Sequence, residues 1–324
     1  MKIISFIDDQ GPRIGLLQDS RIADISALDP DAPRTLGALL RSGPEHYRRL
    51  LDRAADAEPT LDATSLDLLP AVPDPHAIWA IALNYQTHVA EGGHRRPDHP
   101  MMFLRLPLSQ VGAGAPLLRP RESTQFDYEG ELAVVIGRPC FQVAAAIADD
   151  YVFGYACYNE GSVREWQRHT SQITPGKNFI ASGSFGPWIV TREELPDIYS
   201  QTLTTRVNGT QVQRAQLGEM LFRIEEIISY LSHICVLLPG DVILTGTPGG
   251  VGYRTVPQRF LWQGDTVEIE ITGVGTLRNP VADGAAPGSG DAHSRELRWA
   301  EQVSRLYSPL LHSHAVDDPT SPPD

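Results

Sequence analysis

The segment "QFDYEGELAVVIG" places Asp127, Glu129 and Glu131 at alternate positions. On a regular strand, residues two apart share a face, so these carboxylates would crowd one side. Like charges that close repel, and burying them unpaired is costly. A hard divalent cation such as Mg²⁺, Mn²⁺ or Ca²⁺ takes carboxylate oxygens and would turn the repulsion into shared attraction. A solvated strand face is the alternative.

Other stretches offer partners for such a centre. In "NYQTHVAEGG", His88 and Glu91 are three apart and share a face of a helical turn. A carboxylate there can orient an imidazole as general base; incidental charges on a surface turn would look the same. "YNEGSVREWQ" supplies Glu160 as a further oxygen ligand. Its Arg164 and Gln167, again three apart, can grip a carboxylate, although the stretch also reads as a capped helix start. Lys177 in "TPGKNF" can neutralise an oxyanion or simply be a surface charge. "PGDVILTGTPGGVG" runs a strand into a glycine-rich loop whose N–H groups can approach an anion. The P-loop, the dinucleotide fingerprint and the G-x-S-x-G elbow are all absent from the sequence.

The elements that must position these residues are mostly short strands. "AIWAIAL", "ELAVVIG", "YVFGYACY", "GPWIVT", "LTTRVNG", "DVILTGTP" and "DTVEIEI" are closely punctuated by glycine and proline. "GEMLFRIEEIISYLSHICVL" reads as a helix, with Met220, Ile224, Ile227, Ile228 and Leu231 in helical spacing. "PEHYRRLLDRAADA" is a second. The expected organisation is a small β-rich N-terminal domain over 1–70, a main domain over 71–283, and a partly flexible extension over 284–324 holding the helical piece "RELRWAEQVSRLYS".

Composition narrows the partners. The 324 residues include 27 basic and 40 acidic side chains, a net charge of −13, which argues against nucleic acid or an anionic membrane as partner. A local cationic pocket for a small anion is still compatible with that balance. With 3 widely spaced cysteines and no Cys-x-x-Cys, neither a disulfide framework nor a thiolate zinc site is expected. No apolar run reaches the ~18 residues of a membrane helix, and the N-terminus lacks a signal-peptide core. A reducing, cytoplasmic setting is expected.

Taken in order, "NYQTHVAE", "MMFLRLPLS", "DYEGELAVVIG", "GYACYNEGSVREWQ", "GKNF", "FGPWIVT", "VNG", "PGDVILTGTPGGVG" and "GVGTLRNPV" resemble the fumarylacetoacetate hydrolase superfamily over about residues 78–282. The likeness is to its acylpyruvase and 2-hydroxyhepta-2,4-diene-1,7-dioate isomerase branch. The resemblance implies an α+β, β-rich fold: a mixed roll of packed sheets, a homodimer, with Mg²⁺ or Mn²⁺ at the mouth. It puts metal ligands on Glu129, Glu131 and Glu160, and the catalytic pair on His88 and Glu91. It puts substrate contacts on Arg105, Arg164, Gln167, Lys177 and Thr247, with Lys177 also catalytic. Two family aspartates are glutamates here, Glu160 and Glu165. The longer Glu160 puts the geometry of the metal site in question.

The implied activity is C–C hydrolysis of an acylpyruvate-type diketo acid through a pyruvate enolate, in the breakdown of aromatic compounds. Decarboxylation, isomerisation or hydration of a 2-oxo acid is the alternative. A homologue that binds metal without turnover is a third reading.

Overall fold

In the computed structural model, which describes residues 1–284, the run "ELAVVIG" becomes the strand Gly130–Ile136, buried along its whole length. Its alternation explains why it is apolar throughout. Leu132, Val134 and Ile136 join one hydrophobic core, while Ala133 and Val135 join another. A strand covered on both faces needs apolar residues on both.

This strand lies inside a 12-stranded mixed sheet. On one side it pairs with Val152–Asn159, which pairs with Gly183–Thr191. On the other it pairs with Val242–Leu244, then parallel with Ile78–Ala82, then with the edge strand Met101–Arg105. A second sheet of 5 strands runs Thr210–Gln216, Thr202–Val207, Thr266–Ile271, Gly275–Asp283 and Leu117–Arg119. The core between the sheets holds Leu132, Val134, Cys157, Ile269, Leu277 and Val281.

The helix Ile224–Ile234 buries Ile227, Ile228 and Leu231 in that same core. It begins later than its apolar pattern suggests: Met220 precedes it and bridges to Tyr85. The helix Pro44–Asp56 covers the opposite face through Leu50, Leu51 and Ala54. Every strand expected from the sequence has a counterpart, and the observed bounds differ by a few residues.

Residues 1–70 carry their own strands and helices, but their first strand is continuous with the main sheet. Lys2–Asp8 pairs antiparallel with Gly183–Thr191, Lys2 against Val190 and Ile3 against Ile189. The expected C-terminal extension, with its helical piece, lies outside the described residues except for Gly284. Among the described residues no helix is long and apolar enough to cross a membrane.

Candidate active site

The acidic residues are brought together by strand register. Gly130 pairs with Asn159, and Asp127 pairs with Ser162 in the same antiparallel register. Glu129 therefore lies opposite Glu160, and the Glu160 N–H donates to the Glu129 carbonyl at 2.8 Å. Glu131 follows on the first strand. Each of Glu129, Glu131 and Glu160 presents an oxygen within 4.8 Å of the others, and all three are buried.

Their electrostatics differ sharply. Glu129 accepts from the Lys177 Nζ at 3.0 and 3.1 Å, from the Ser162 Oγ at 3.0 Å, and pairs with Arg164 at 2.6 Å. Burial works against its charge, yet Lys177 and Arg164 outweigh it and hold the carboxyl below the ordinary range. Glu160 receives the same ammonium at 2.7 Å. Burial raises its carboxyl, and Lys177 only partly opposes this. Glu131 accepts the Gly246 N–H at 2.8 Å and has no ion pair among the described residues. Burial, then the charges of Glu160 and Glu129, push it well above the usual carboxylate range.

Two observations fit a hard divalent cation here. The donor set is oxygen only and anionic, as Mg²⁺ and Mn²⁺ prefer. The Glu160 Oε1 is buried without a hydrogen-bond partner, with the Arg105 Nη1 3.7 Å away, so a strong acceptor beside the cluster has lone pairs to spare. Glutamate at position 160 thus still reaches the other two carboxylates.

Asp127, whose role was open in the sequence, belongs to a different pairing. It accepts from the Arg164 Nε at 2.9 Å and from the N–H groups of Gly252 and Tyr253 at 2.9 and 3.0 Å. Arg164 is thereby held between Asp127 and Glu129, the first of which is 2.8 Å from its Nη2. Its Nη1 also donates to the Gln167 Oε1 at 2.9 Å. The crowding of acids is relieved by an arginine supplied from the opposite strand's continuation.

The helix Gln86–Gly92 sets His88 and Glu91 on one face, and His88 Nδ1 is 2.8 Å from Glu91 Oε1. The other Glu91 oxygen accepts the Gly250 N–H at 2.8 Å, and the Gly249 N–H donates to the Thr87 Oγ1 at 3.0 Å. The N–H groups of the glycine-rich loop thus do approach anions, and these are the chain's own carboxylates at Glu131, Glu91 and Asp127. Gly246, with φ of 95°, shows why glycine is needed there: a Cβ would meet the Ile81 carbonyl at 2.8 Å. The preceding Asn84 fastens the same loop, donating to the Thr245 carbonyl at 2.8 Å and accepting the Phe222 N–H at 2.7 Å.

A cavity of about 450 Å³ opens over the cluster. His88, Glu129, Glu131, Glu160, Arg164, Gln167, Lys177 and Thr247 all line it. Glu91 stands behind His88. Arg105, expected at the substrate, is placed differently: it is buried behind Glu160, with Nη1 at 3.7 Å from Oε1 of that residue. Its Nη2 donates to the Ser182 Oγ at 2.9 Å, and its Nη1 to the Gly161 carbonyl at 3.2 Å. It stands next to Glu160 and is not among the residues that line the cavity. Glu165 faces away as well, accepting from the Ser123 Oγ and the Thr124 N–H at 2.8 and 2.9 Å.

Sequence reasoning missed several members of the site. Gln213 accepts the Gly130 N–H at 2.9 Å and donates to the Thr247 Oγ1 at 2.9 Å, tying the second sheet to the site. In "TQVQRAQ" it looks like any polar position of an alternating strand, so no local signal marks it. Tyr253, Arg254, Arg168 and His94 also line the cavity. The aromatic–basic pair "YR" beside the glycine loop is the signal that could have marked Tyr253 and Arg254.

Comparisons with known proteins place the chain in a family. The model of the fumarylacetoacetate (FAA) hydrolase C-terminal domain matches residues 77–282. The chain is 35% identical over 287 residues to the mitochondrial oxaloacetate tautomerase of Xenopus laevis, covering 87% of this chain and 90% of that protein. It is 34% identical over 276 residues to a human mitochondrial oxaloacetate tautomerase, covering 84% and 88%. Among solved structures, maleylpyruvate hydrolase from Sphingobium sp. SYK-6, in complex with manganese(II) ion and pyruvate, matches with a TM-score of 0.74 at 29% identity, over 88% of this chain and all (100%) of that one. A 5-carboxymethyl-2-hydroxymuconate delta-isomerase from Mycobacterium smegmatis matches with a TM-score of 0.69 at 30% identity, over 88% and 100%. The relatives thus include tautomerases, hydrolases and isomerases. By the family match over most of its length and by these relatives, the chain belongs to the fumarylacetoacetate hydrolase family.

Proposed function

We propose that the chain is a divalent-metal enzyme that moves a proton at the carbon next to the keto group of a short 2-oxo dicarboxylate, interconverting its enol and keto forms. The observation that carries this reading is the His88–Glu91 pair, 2.8 Å apart, whose imidazole lines the same cavity as the carboxylate cluster. Bound Mg²⁺ or Mn²⁺, held by Glu129, Glu131 and Glu160, supplies a Lewis acid for the 2-oxo group and its neighbouring carboxylate.

The chain's own residues do the rest. Glu91, fixed by the Gly250 N–H, holds the His88 ring with its far nitrogen toward the cavity and favours the imidazolium that forms when it takes a proton. Lys177 and Arg164 hold Glu129 ionised. Gln167 and Thr247 present polar atoms to the remaining substrate oxygens. Tautomerisation needs no group beyond this base and the electrophilic floor. The oxaloacetate tautomerases of the frog and of humans, alike over more than four-fifths of this chain, support it.

The second reading is C–C hydrolysis of an acylpyruvate, in which the same pair deprotonates a water that attacks the distal carbonyl. Its support is the likeness to maleylpyruvate hydrolase and a cavity of about 450 Å³, roomy enough for a substrate and a water of ~30 Å³.

The test is a substrate panel on metal-stripped protein reloaded with Mg²⁺ or Mn²⁺: enolic oxaloacetate, acylpyruvates and unsaturated 2-oxo diacids, with products identified. Accelerated loss of the enol absorbance of oxaloacetate, without release of a cleaved acid, is the expected result. Cleavage to pyruvate and a carboxylic acid would replace the first reading with the second. Decarboxylated product would replace both, and no turnover with metal bound would leave a binding protein.

A further inference from the structure

The buried charges at and behind the floor of the cavity have a definite balance. Asp127, Glu129, Glu131 and Glu160 face Arg105, Arg164 and Lys177, and all of them are buried. With all four carboxylates ionised, as metal binding requires, four against three cations leave one negative charge, which a divalent cation would turn into one positive charge. This suits a single carboxylate, the one beside the 2-oxo group. A second carboxylate on the substrate finds no countercharge at the floor, because Arg164 and Lys177 are already committed to buried acids.

The mouth of the cavity is different. Arg254 and Arg168 line it, and neither ion-pairs with any carboxylate among the described residues. Arg168 already donates to the Gln125 Oε1 at 2.6 Å. Among the described residues the Arg254 Nη2 donates to the Gly92 carbonyl, at 3.1 Å, at the end of the helix bearing His88 and Glu91. Its guanidinium lies over the Tyr253 ring, with the central carbon 4.7 Å from the centroid, and that of Arg164 lies over the same ring at 4.3 Å. The two guanidinium carbons are therefore no more than about 9 Å apart. The ring contact and the Gly92 hydrogen bond hold Arg254 at the mouth and leave further guanidinium N–H groups for a carboxylate.

We propose that Arg254 is the specificity-determining residue for this site, binding the carboxylate at the far end of the substrate. The inference rests on the 2-oxo acid reading above. It divides the cavity into a floor that takes the 2-oxo acid end and a mouth that selects for a second anion, with Tyr253 between them.

The test is calorimetric binding to Mn²⁺-loaded protein with two chain-matched pairs: oxaloacetate with 2-oxobutanoate, and 2-oxoglutarate with 2-oxopentanoate. Wild type is expected to prefer the diacid of the better-binding pair by ~10-fold or more, as for a charge-assisted contact. Arg254→Met should remove most of that preference and leave affinity for the monoacid within about 2-fold; Arg254→Lys should keep part of it; Arg168→Met should keep it. A preference that survives in Arg254→Met, or is lost only in Arg168→Met, overturns the assignment. Equal loss for mono- and diacid in Arg254→Met would show a merely structural role and overturn it too. Equal wild-type affinity for mono- and diacid would sink the distal contact alone. Binding of Mn²⁺ but of no 2-oxo acid would sink the underlying reading and the inference with it.

Discussion

Glu131→Gln is expected to lose Mn²⁺ binding by more than ~10²-fold, since even the outer partners of metal ligands are worth 10–100-fold. Turnover should fall at least ~10³-fold, because a Lewis acid contributes several kcal/mol to such chemistry. The same variant should be more stable than wild type when both are metal-free. Glu131 is buried beside Glu129 and Glu160, and the charge of Lys177 and the Gly246 N–H only partly balance its own. Its folded-state carboxyl is raised well above the usual value by burial and by those neighbours. Between the unfolded value of about 4.3 and that raised value, the folded state holds a proton that the unfolded state has lost. Stability of the metal-free wild type should therefore fall as pH rises through this window, and Glu131→Gln should remove much of that slope. Added Mn²⁺ should raise the melting temperature of wild type and leave the variant unmoved. Thermal melts across pH, with and without Mn²⁺, check both signs. A metal-induced shift as large in the variant as in wild type would remove Glu131 from the metal site.

His88→Ala separates the chemistry from the binding. Its imidazole lines the cavity with Glu91 behind it, and neither touches the carboxylate cluster through any hydrogen bond. Metal affinity and the melting shift should be preserved. The catalysed rate should fall by ~10²–10⁴-fold, the usual worth of a positioned general base. Glu91→Gln should do less harm, since the amide oxygen still accepts the Gly250 N–H, but the imidazolium loses its countercharge. Stopped-flow rates on the substrate that turns over, alongside Mn²⁺ titrations, distinguish the roles. An unchanged rate in His88→Ala would remove it from the mechanism; a lost metal would make it structural.

Much of this site was legible in the order of its motifs, because each motif carries its chemistry locally. The pair at His88 and Glu91 follows from helical spacing, and the strand "ELAVVIG" from its apolar run. What brings Glu160 to Glu129 is less visible. That contact is set by backbone register across the two strands, and any extended residue can supply those hydrogen bonds. The sorting of cations was hidden for the same reason. Arg105 and Arg164 both looked like substrate contacts, since a sequence shows charge and not what stands in front of it. In the fold one sits behind Glu160 and the other is clamped by Asp127. The joining of Lys2–Asp8 to the main sheet is likewise a matter of edge pairing. Gln213 and Asn84 act through long-range hydrogen bonds from otherwise ordinary positions.

The central claim is that Glu129, Glu131 and Glu160 together hold one divalent cation that receives a 2-oxo acid. The most direct measurement is an anomalous difference map at the manganese edge from crystals grown with Mn²⁺ and oxalate, a stable mimic of a 2-oxo acid enolate. The account predicts one peak bonded to an oxygen of each of the three glutamates at 2.0–2.3 Å, roughly the range for hard cations with oxygen ligands, with oxalate on its open side toward His88. Manganese bound elsewhere, or held by Glu129 and Glu131 with Glu160 turned away, would contradict it.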